Sequence, residues 1–229
     1  MSITPSTLTR AAAVATVVAG LIYIAIQPLH PSDELTSVTG STWFLVHSLS
    51  LTMAILGLVG VTGIYLRQVR EFGVLGLIGY VLFSLFFVLQ AAFNFLETFV
   101  LPLTAAGSPE LTEDLAALFA GHTAQTDLGS LAVVPLLGAG FYIVGGVLFG
   151  VAVLRARVLS RWAAIFLIAA SATTLLATVL PHEVERLLAI PVGMALVWLG
   201  LSLLSEQRRN GVQPSAHVEP SELTGTLRV

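Results

Sequence analysis

The third apolar segment of the sequence carries a stripe of polar side chains. Gln90, Asn94 and Glu97 are spaced at i, i+4 and i+7, so they share one face of a helix. Exposing an ionised residue to acyl chains at mid-membrane costs about 2.5 to 3.5 kcal/mol on insertion scales. We therefore predict that the stripe faces other helices, at a depth similar to that of His47 and Ser48 in the preceding segment.

Two interpretations of these five residues are open. In one, they only hydrogen-bond neighbouring helices and so order the bundle. In the other, they line a pocket that opens to the outer face of the membrane and binds a small molecule, a lipid or an ion. The pocket-lining set on that second interpretation is His47, Ser48, Gln90, Asn94 and Glu97.

Four of the five histidines fall toward one side of the predicted membrane region, together with several carboxylates. Histidine with a carboxylate can bind a divalent metal or relay protons. Outside the membrane core, the candidates for such a metal or proton site are His30, His122, Asp127 and His182. No spacing matches a local ligand pair such as HExxH, so the alternative is that these histidines hydrogen-bond loop backbone at a hydrated interface.

Familiar catalytic motifs do not occur in this sequence. It has neither a Gly-x-Ser-x-Gly elbow nor a phosphate-binding glycine loop. The chain contains no cysteine, and all ten of its basic residues are arginine, which excludes thiol nucleophiles, thiolate metal sites and lysine Schiff bases. We assign no catalytic residue, no cofactor-binding residue and no cofactor.

The composition places these residues in a membrane protein. Of 229 residues, 56% are hydrophobic and only 10% are charged, whereas about 25% is usual for soluble domains. The net charge of −3 is too small to imply a nucleic-acid partner. Charge-free windows of about 20 residues predict an all-α bundle of six transmembrane helices, at about 11–29, 43–66, 72–100, 129–154, 160–180 and 185–205.

The arginines predict the orientation of this bundle. Nine of them fall at the N-terminus, in the second and fourth loops and in the C-terminal tail, and only Arg186 falls on the opposite side. Because arginine is retained on the cytoplasmic side, both termini are expected in the cytoplasm, in the plasma membrane of a bacterium. The expected domains are residues 1–205, which form the membrane bundle, and residues 206–229, a disordered cytoplasmic tail.

Glycines and the third loop suggest how the bundle packs. Gly57, Gly60 and Gly63 on the second helix, and Gly73, Gly76 and Gly79 on the third, predict a hairpin pinched at its cytoplasmic end. Between helices three and four, Ser108 and Pro109 begin a short amphipathic helix on the extracytoplasmic side. Its leucines at 111, 115 and 118 oppose Glu110, Glu113 and Asp114, and it is expected to lie over the bundle like a lid. Pro135 and Pro191 are expected inside helices four and six as kinks.

Arginines flank the hairpins, Arg161-Trp162 begins helix five, and the last helix contains Trp198-Leu199-Gly200. In these features the chain resembles uncharacterised small polytopic membrane proteins of actinobacteria, of the domain-of-unknown-function type. The resemblance implies the fold and the location in the membrane. It carries no catalytic or binding residue over to this chain.

Three functions remain open from the sequence. The first is a non-enzymatic integral membrane protein with an outward-facing polar pocket. The second is a membrane-embedded enzyme with His47 and Glu97 as acid and base. The third is an accessory subunit of a membrane complex with no site of its own. Assembly into a homo-oligomer or a membrane complex is left open for all three. The expected partners are the lipid bilayer and, for the first function, a small-molecule, lipid or ion ligand.

Overall fold

The computed structural model describes residues 3–179 and 186–212, and this part of the chain is helical without strands. Nine α-helices follow in order: α1 (Pro5–Ile26), α2 (Leu35–Val38), α3 (Ser41–Arg67), α4 (Val69–Phe95), α5 (Leu101–Thr104), α6 (Pro109–Phe119), α7 (Val134–Ala156), α8 (Arg161–Thr173) and α9 (Ala189–Val212). Short 3₁₀ turns extend several of them, at Gln27–Leu29, Gly129–Val133, Thr174–Val179 and Arg186–Leu188.

Within the described ranges, five helical segments are long and apolar enough to cross a bilayer. They are Pro5–Leu29, Ser41–Arg67, Val69–Thr104, Gly129–Ala156 and Arg186–Arg209. The shorter apolar segment Arg161–Leu176 stands where the fifth of the six spans was predicted, and its α-helix ends at Thr173. The structure therefore supports a membrane protein with five helices of spanning length.

The long helices form a closed ring with α8. Each of α1, α3, α4, α7, α8 and α9 packs against the next in this order, and α9 packs against α1. Neighbouring helices run antiparallel. This is seen in the glycine contacts, where residues that come later along one helix face residues that come earlier along its partner. Between α1 and α3, Gly60 faces Thr16 and Gly63 faces Ala12.

Glycine lines most of the contacts around this ring. A Cβ on Gly79 or Gly145 would collide with the facing backbone across the contact between α4 and α7. From α7, Gly146 and Gly150 face the side chains of Ser171 and Ile168 on α8. Gly20 lies against Gly193 where α1 meets α9. Close backbone approach is how helices associate in lipid, since lipid tails are as apolar as leucine and give no hydrophobic driving force.

The prediction of a pinched hairpin between α3 and α4 was wrong. Gly60 and Gly63 face α1, and Gly79 faces α7, so half of the six glycines contact helices outside the hairpin. Gly57 is the member that faces across it, against the ring of Phe87. Gly73 packs against nothing within 4 Å and has a φ of 59° and a ψ of −163°, a backbone conformation that is essentially restricted to glycine and that kinks the start of α4.

Two further expectations about helix ends differ from the structure. Pro135 and Pro191 lie in the first turns of α7 and α9. Backbone N–H groups in a first turn have no partner within the helix, so proline costs no hydrogen bond there and neither residue kinks a helix interior. The last helix continues to Val212, past the predicted start of the tail at residue 206. Arg67 explains part of that extension, because its guanidinium forms an ion pair with Glu206. The rest of the predicted tail lies outside the described residues.

Aromatic side chains fill the middle of the ring. Phe83, Phe87 and Phe149 are almost completely buried, and their rings are in mutual contact through Phe83, at centroid distances of 5.1 Å to Phe87 and 5.9 Å to Phe149. Tyr142 stands above them, with its ring 4.7 Å from that of Phe86. This cluster forms a floor below the polar region described next.

Candidate functional site

A cavity of about 250 Å³ lies inside the ring at the end opposite Arg67 and Glu206. The described residues that line it come from the bundle helices and from α6, and combine polar groups with aromatic rings. The polar ones include Gln27, His30, Asp33, Gln90, Asn94, Glu97, Thr174 and Arg186, and the aromatic ones are Tyr23, Phe93, Phe119 and Tyr142.

The predicted polar stripe of α4 lies in this cavity. Gln90, Asn94 and Glu97 all line it, and Asn94 and Glu97 are only 5% and 9% exposed. The side-chain amide of Asn94 donates to the backbone carbonyl of Gln90 at 2.7 Å. The backbone carbonyl of Asn94 accepts from the hydroxyl of Thr98 at 2.6 Å. The stripe therefore faces the interior of the ring.

Glu97 belongs to an irregular turn. Residues Leu96–Val100 form a π-helical turn, in which the amide of Leu101 donates to the carbonyl of Leu96, five residues earlier. Pro102 follows at once and has no N–H to offer the preceding turn, which favours such a rearrangement. Single π-turns occur often at functional sites, because they redirect one side chain and free a carbonyl.

The freed carbonyl of Glu97 is held by α3. The indole Nε1 of Trp43 donates to it at 2.8 Å, and Trp43 is completely buried. The His47 ring stacks on the Trp43 ring one turn later, with centroids 4.1 Å apart and an interplanar angle of 27°. Helix α3 therefore positions both the backbone and the side chain of Glu97.

His47 and Glu97 form a buried pair. The Nε2 atom of His47 lies 3.5 Å from Oε1 of Glu97, and His47 is 1% exposed. Its other nitrogen, Nδ1, lies 2.9 Å from the carbonyl oxygen of Trp43. Since a carbonyl can only accept, Nδ1 donates to it, and Nε2 is the nitrogen that faces the carboxylate. The two side chains are therefore placed so that a proton can lie between Nε2 and Oε1.

A second titratable group touches this pair from the loop after α1. The ring of His30 meets that of His47 edge to face, with centroids 5.0 Å apart, and its Nδ1 lies 2.9 Å from the carbonyl oxygen of Pro31. Burial, and next the positive charge of Arg186, lower the pKa of His30 to about 4. His30 is therefore neutral at physiological pH.

An ion pair stands at the mouth of the cavity. The guanidinium of Arg186 is paired with the carboxylate of Asp33, which joins the turn before α9 to the loop after α1. Asp33, Arg186, His30 and Gln27 also line an outer recess that includes His122. These four residues lie between the recess and the inner cavity and bound both.

Helix α6 covers part of this end of the ring. Phe119 and Ala120 line the cavity, and the Phe119 ring is 5.0 Å from that of Phe93. The predicted division of its faces was wrong at Asp114, which is 5% exposed, whereas Leu111 is 40% exposed. Asp114 faces inward because its carboxylate accepts from the amides of Gln125 and Thr126, at 2.6 Å and 3.0 Å, and so fixes the following loop.

The other predicted site residues fall in different places. Ser48 is half-buried on α3 and is not among the residues that line the cavity, whereas Ser50 is. Asp127 is exposed, and its carboxylate accepts from the amide of Gly129 in a local turn. His122 reaches only the outer recess, and His182 lies outside the described residues. Within the described ranges, no three potential ligands are placed to hold a metal ion.

Sequence reasoning missed several residues that line the cavity. Tyr23, Ser50 and Tyr142 are ordinary in apolar helices, and nothing in their spacing marks them. Asp33 was among the carboxylates expected on this side, but nothing in the sequence pairs it with Arg186, which lies 153 residues later. The one signal for Arg186 was that it is the sole arginine on its side of the predicted membrane.

Comparisons with known proteins provide no relative for this site. No protein-family model matches the sequence, and no curated protein or solved structure matches it.

Proposed function

We propose that this chain is an integral membrane protein of six transmembrane helices that binds a small molecule, lipid or ion in the cavity, without catalysing a reaction. The observation that carries the proposal is the cavity, which has two carboxylates, three side-chain amides and an arginine on its walls. Below it, the packed aromatic floor around Phe83 separates it from the opposite end of the ring. A polar chamber closed at one end is a geometry for binding rather than for an open channel.

Helix α8 supports the count of six spans. Its 13 α-helical residues and the 6 residues of the 3₁₀ turn that follows rise by about 31 Å at the usual 1.5 and 2.0 Å per residue. That length matches a hydrocarbon core of about 30 Å. Since α8 also closes the ring between α7 and α9, it lies beside helices of spanning length on both sides.

The distribution of arginine supports an orientation with both termini in the cytoplasm and the cavity facing outward. The described arginines at the end of the ring opposite the cavity are Arg10, Arg67, Arg70, Arg155, Arg157, Arg161, Arg208 and Arg209. Arg186 lies at the cavity end, paired with Asp33. We propose the plasma membrane of a bacterium as the location, because the use of arginine without any lysine is typical of GC-rich bacterial genomes.

A second candidate function rests on the contact between His47 and Glu97. A membrane-embedded enzyme could use the pair as acid and base, because Nε2 of His47 faces Oε1 of Glu97 at 3.5 Å. His47 is 1% exposed, so a substrate in the cavity would meet Glu97 and not the imidazole. That geometry favours binding over acid–base catalysis by both groups.

Cysteine labelling tests the proposal, because the chain has no cysteine of its own. Asn94→Cys should react with a membrane-impermeant maleimide added to the outside of intact cells, as should Gly107→Cys in the outer loop. Ala54→Cys, which replaces a completely buried alanine of α3, should not react. Reporter fusions at Gln207 and Gly107 should give opposite sides of the membrane.

Two results would contradict this proposal. If Asn94→Cys stays unlabelled while Gly107→Cys reacts, the cavity is closed to the outside and the accessory-subunit function becomes the better one. If the two fusions report the same side, the six-span topology fails. Native mass spectrometry of the unmodified protein should in addition show a retained ligand.

A further inference from the structure

The charges around the cavity restrict what it can bind. Asp33 and Arg186 neutralise each other as an ion pair, and the lowered pKa of His30 keeps that ring neutral at physiological pH. The remaining titratable groups among the described lining residues are the hydroxyls of Tyr23 and Tyr142, which are neutral, and Glu97 with its neighbour His47. The charge of the cavity is therefore decided by the His47–Glu97 pair.

This pair has two states of different charge. With the shared proton bound, it is either imidazolium with carboxylate or imidazole with carboxylic acid, and both forms are neutral overall. With the proton released, imidazole faces an ionised Glu97, and the pair carries one negative charge. A carboxylate that is 9% exposed is costly without a counter-charge, so the deprotonated state needs a cation.

The rest of the wall indicates which kind of cation fits. Phe93, Phe119 and Tyr23 line the cavity alongside Glu97. Aromatic faces attract organic cations and are a recurrent feature of sites for quaternary ammonium groups. The set of one carboxylate and several aromatic rings therefore suits an alkylated ammonium better than a hydrated metal ion.

We infer that the cavity binds a monovalent organic ammonium cation and that binding releases the proton shared by His47 and Glu97. The inference rests on the proposed binding function and names its ligand class. The cation forms no covalent bond to the protein. The N–H or O–H bond between the pair and its proton breaks, a water molecule takes up the proton, and the cation takes over as counter-ion to Glu97. Proton and cation thus compete for one site, and each weakens the binding of the other by the same factor.

Calorimetry tests the exchange directly. The full chain in nanodiscs of zwitterionic lipid is titrated with tetramethylammonium chloride in two buffers of different ionisation enthalpy. On the acid side of the pair's titration, about one proton should be released per cation, and the affinity should rise about tenfold per pH unit. The uncharged isostere neopentyl alcohol, which has nearly the same shape, should bind with neither proton release nor this pH dependence.

Three variants localise the effect. Glu97→Gln keeps the shape of the side chain and should abolish both cation binding and proton release at an unchanged melting temperature. His47→Gln keeps the carboxylate, so the cation should still bind, with proton release displaced to a different pH range. Glu113→Gln is the matched control, because this exposed carboxylate on α6 does not line the cavity, and it should behave as the unmodified chain.

Several outcomes would overturn the inference. They are cation binding without proton release, equal binding of the alcohol and the cation, unchanged cation binding in Glu97→Gln, or an unchanged pH range in His47→Gln. The proposed function fails separately. If the alcohol protects Asn94→Cys from labelling and the cation does not, the cavity binds ligands but not cations. If Asn94→Cys is not labelled at all, both proposals fail.

Discussion

Trp43 and Glu97 are joined by a hydrogen bond from a side chain to the backbone, between the indole Nε1 and the carbonyl oxygen at 2.8 Å. The bond links α3 to α4 at the π-turn, where the carbonyl has lost its regular helical partner. The same turn presents the Glu97 side chain to His47, so the geometry of the cavity depends on it.

Trp43→Phe should therefore destabilise the protein more than its loss of size suggests. An unpaired buried carbonyl costs about 1 to 3 kcal/mol, in addition to the packing lost around a completely buried ring. Trp162→Phe is the matched control, because Trp162 is 56% exposed. Thermal unfolding in detergent should show a clear decrease for Trp43→Phe and little change for Trp162→Phe, and equal shifts would contradict the structure.

A glycine pair tests the contacts around the ring. In Gly60→Ala, the added Cβ would lie 2.5 Å from the hydroxyl of Thr16 and 3.0 Å from its Cα, so α1 and α3 must separate. Overpacking of this kind costs about 1 to 3 kcal/mol. Gly140→Ala makes the same exchange in α7 with nothing within 4 Å. We expect a lower melting temperature for the first and an unchanged or slightly higher one for the second. A neutral Gly60→Ala would show that α1 does not pack there.

His30 should make stability depend on pH in a defined direction. Its pKa lies at about 4 in the folded protein, against 6.5 as the ordinary value, because of burial and Arg186. As pH falls from 6.5 to about 4, the unfolded chain gains this proton and the folded one does not, so stability decreases over that range. His30→Gln should lose this component of the pH dependence. Arg186→Gln should raise the pKa of His30 in the folded protein, so the pH interval over which stability decreases should become narrower. Melting temperatures measured from pH 4 to pH 7.5 would check both.

Asp114 should hold the loop after α6. Hydrogen bonds from Thr126 and Gln125 lower the pKa of its carboxyl, so the contact persists into acid conditions where ordinary carboxylates are protonated. In Asp114→Asn, one carboxylate oxygen becomes a donor group that cannot accept from an amide. Hydrogen exchange at the amides of Gln125 and Thr126 should accelerate there and remain slow in Glu113→Gln, whose carboxyl is exposed. Unchanged protection in Asp114→Asn would contradict this role.

The sequence predicted the structure correctly where exposing a particular residue to lipid has a free-energy cost. The orientation of Gln90, Asn94 and Glu97 toward other helices follows from the cost of exposing polar groups to lipid, and the structure places all three in the cavity. The lengths of the apolar windows likewise predict where the long helices lie, because a span must satisfy its own backbone.

The sequence did not predict in the same way which helix or loop each residue packs against. A glycine ladder on a helix shows that some backbone approaches closely, but Gly60 and Gly79 turned out to face α1 and α7 rather than each other's helix. Leucine spacing on α6 misplaced Asp114, because the carboxylate serves loop amides that pattern alone does not reveal. The π-turn at Glu97 depends on Pro102 and Trp43 together, which lie on different helices. The family resemblance stays a prediction.

The closure of the ring by its first and last helices has a consequence for biosynthesis. Gly20 of α1 faces Gly193, and Gly200 of α9 faces the backbone of Ala13, so the two chain ends of the bundle complete each other. When α1 leaves the ribosome, this surface has no mate until α9 has been translated. Until then α1, α3, α4, α7 and α8 can form only an open arc, and the cavity is complete only when α9 closes the ring.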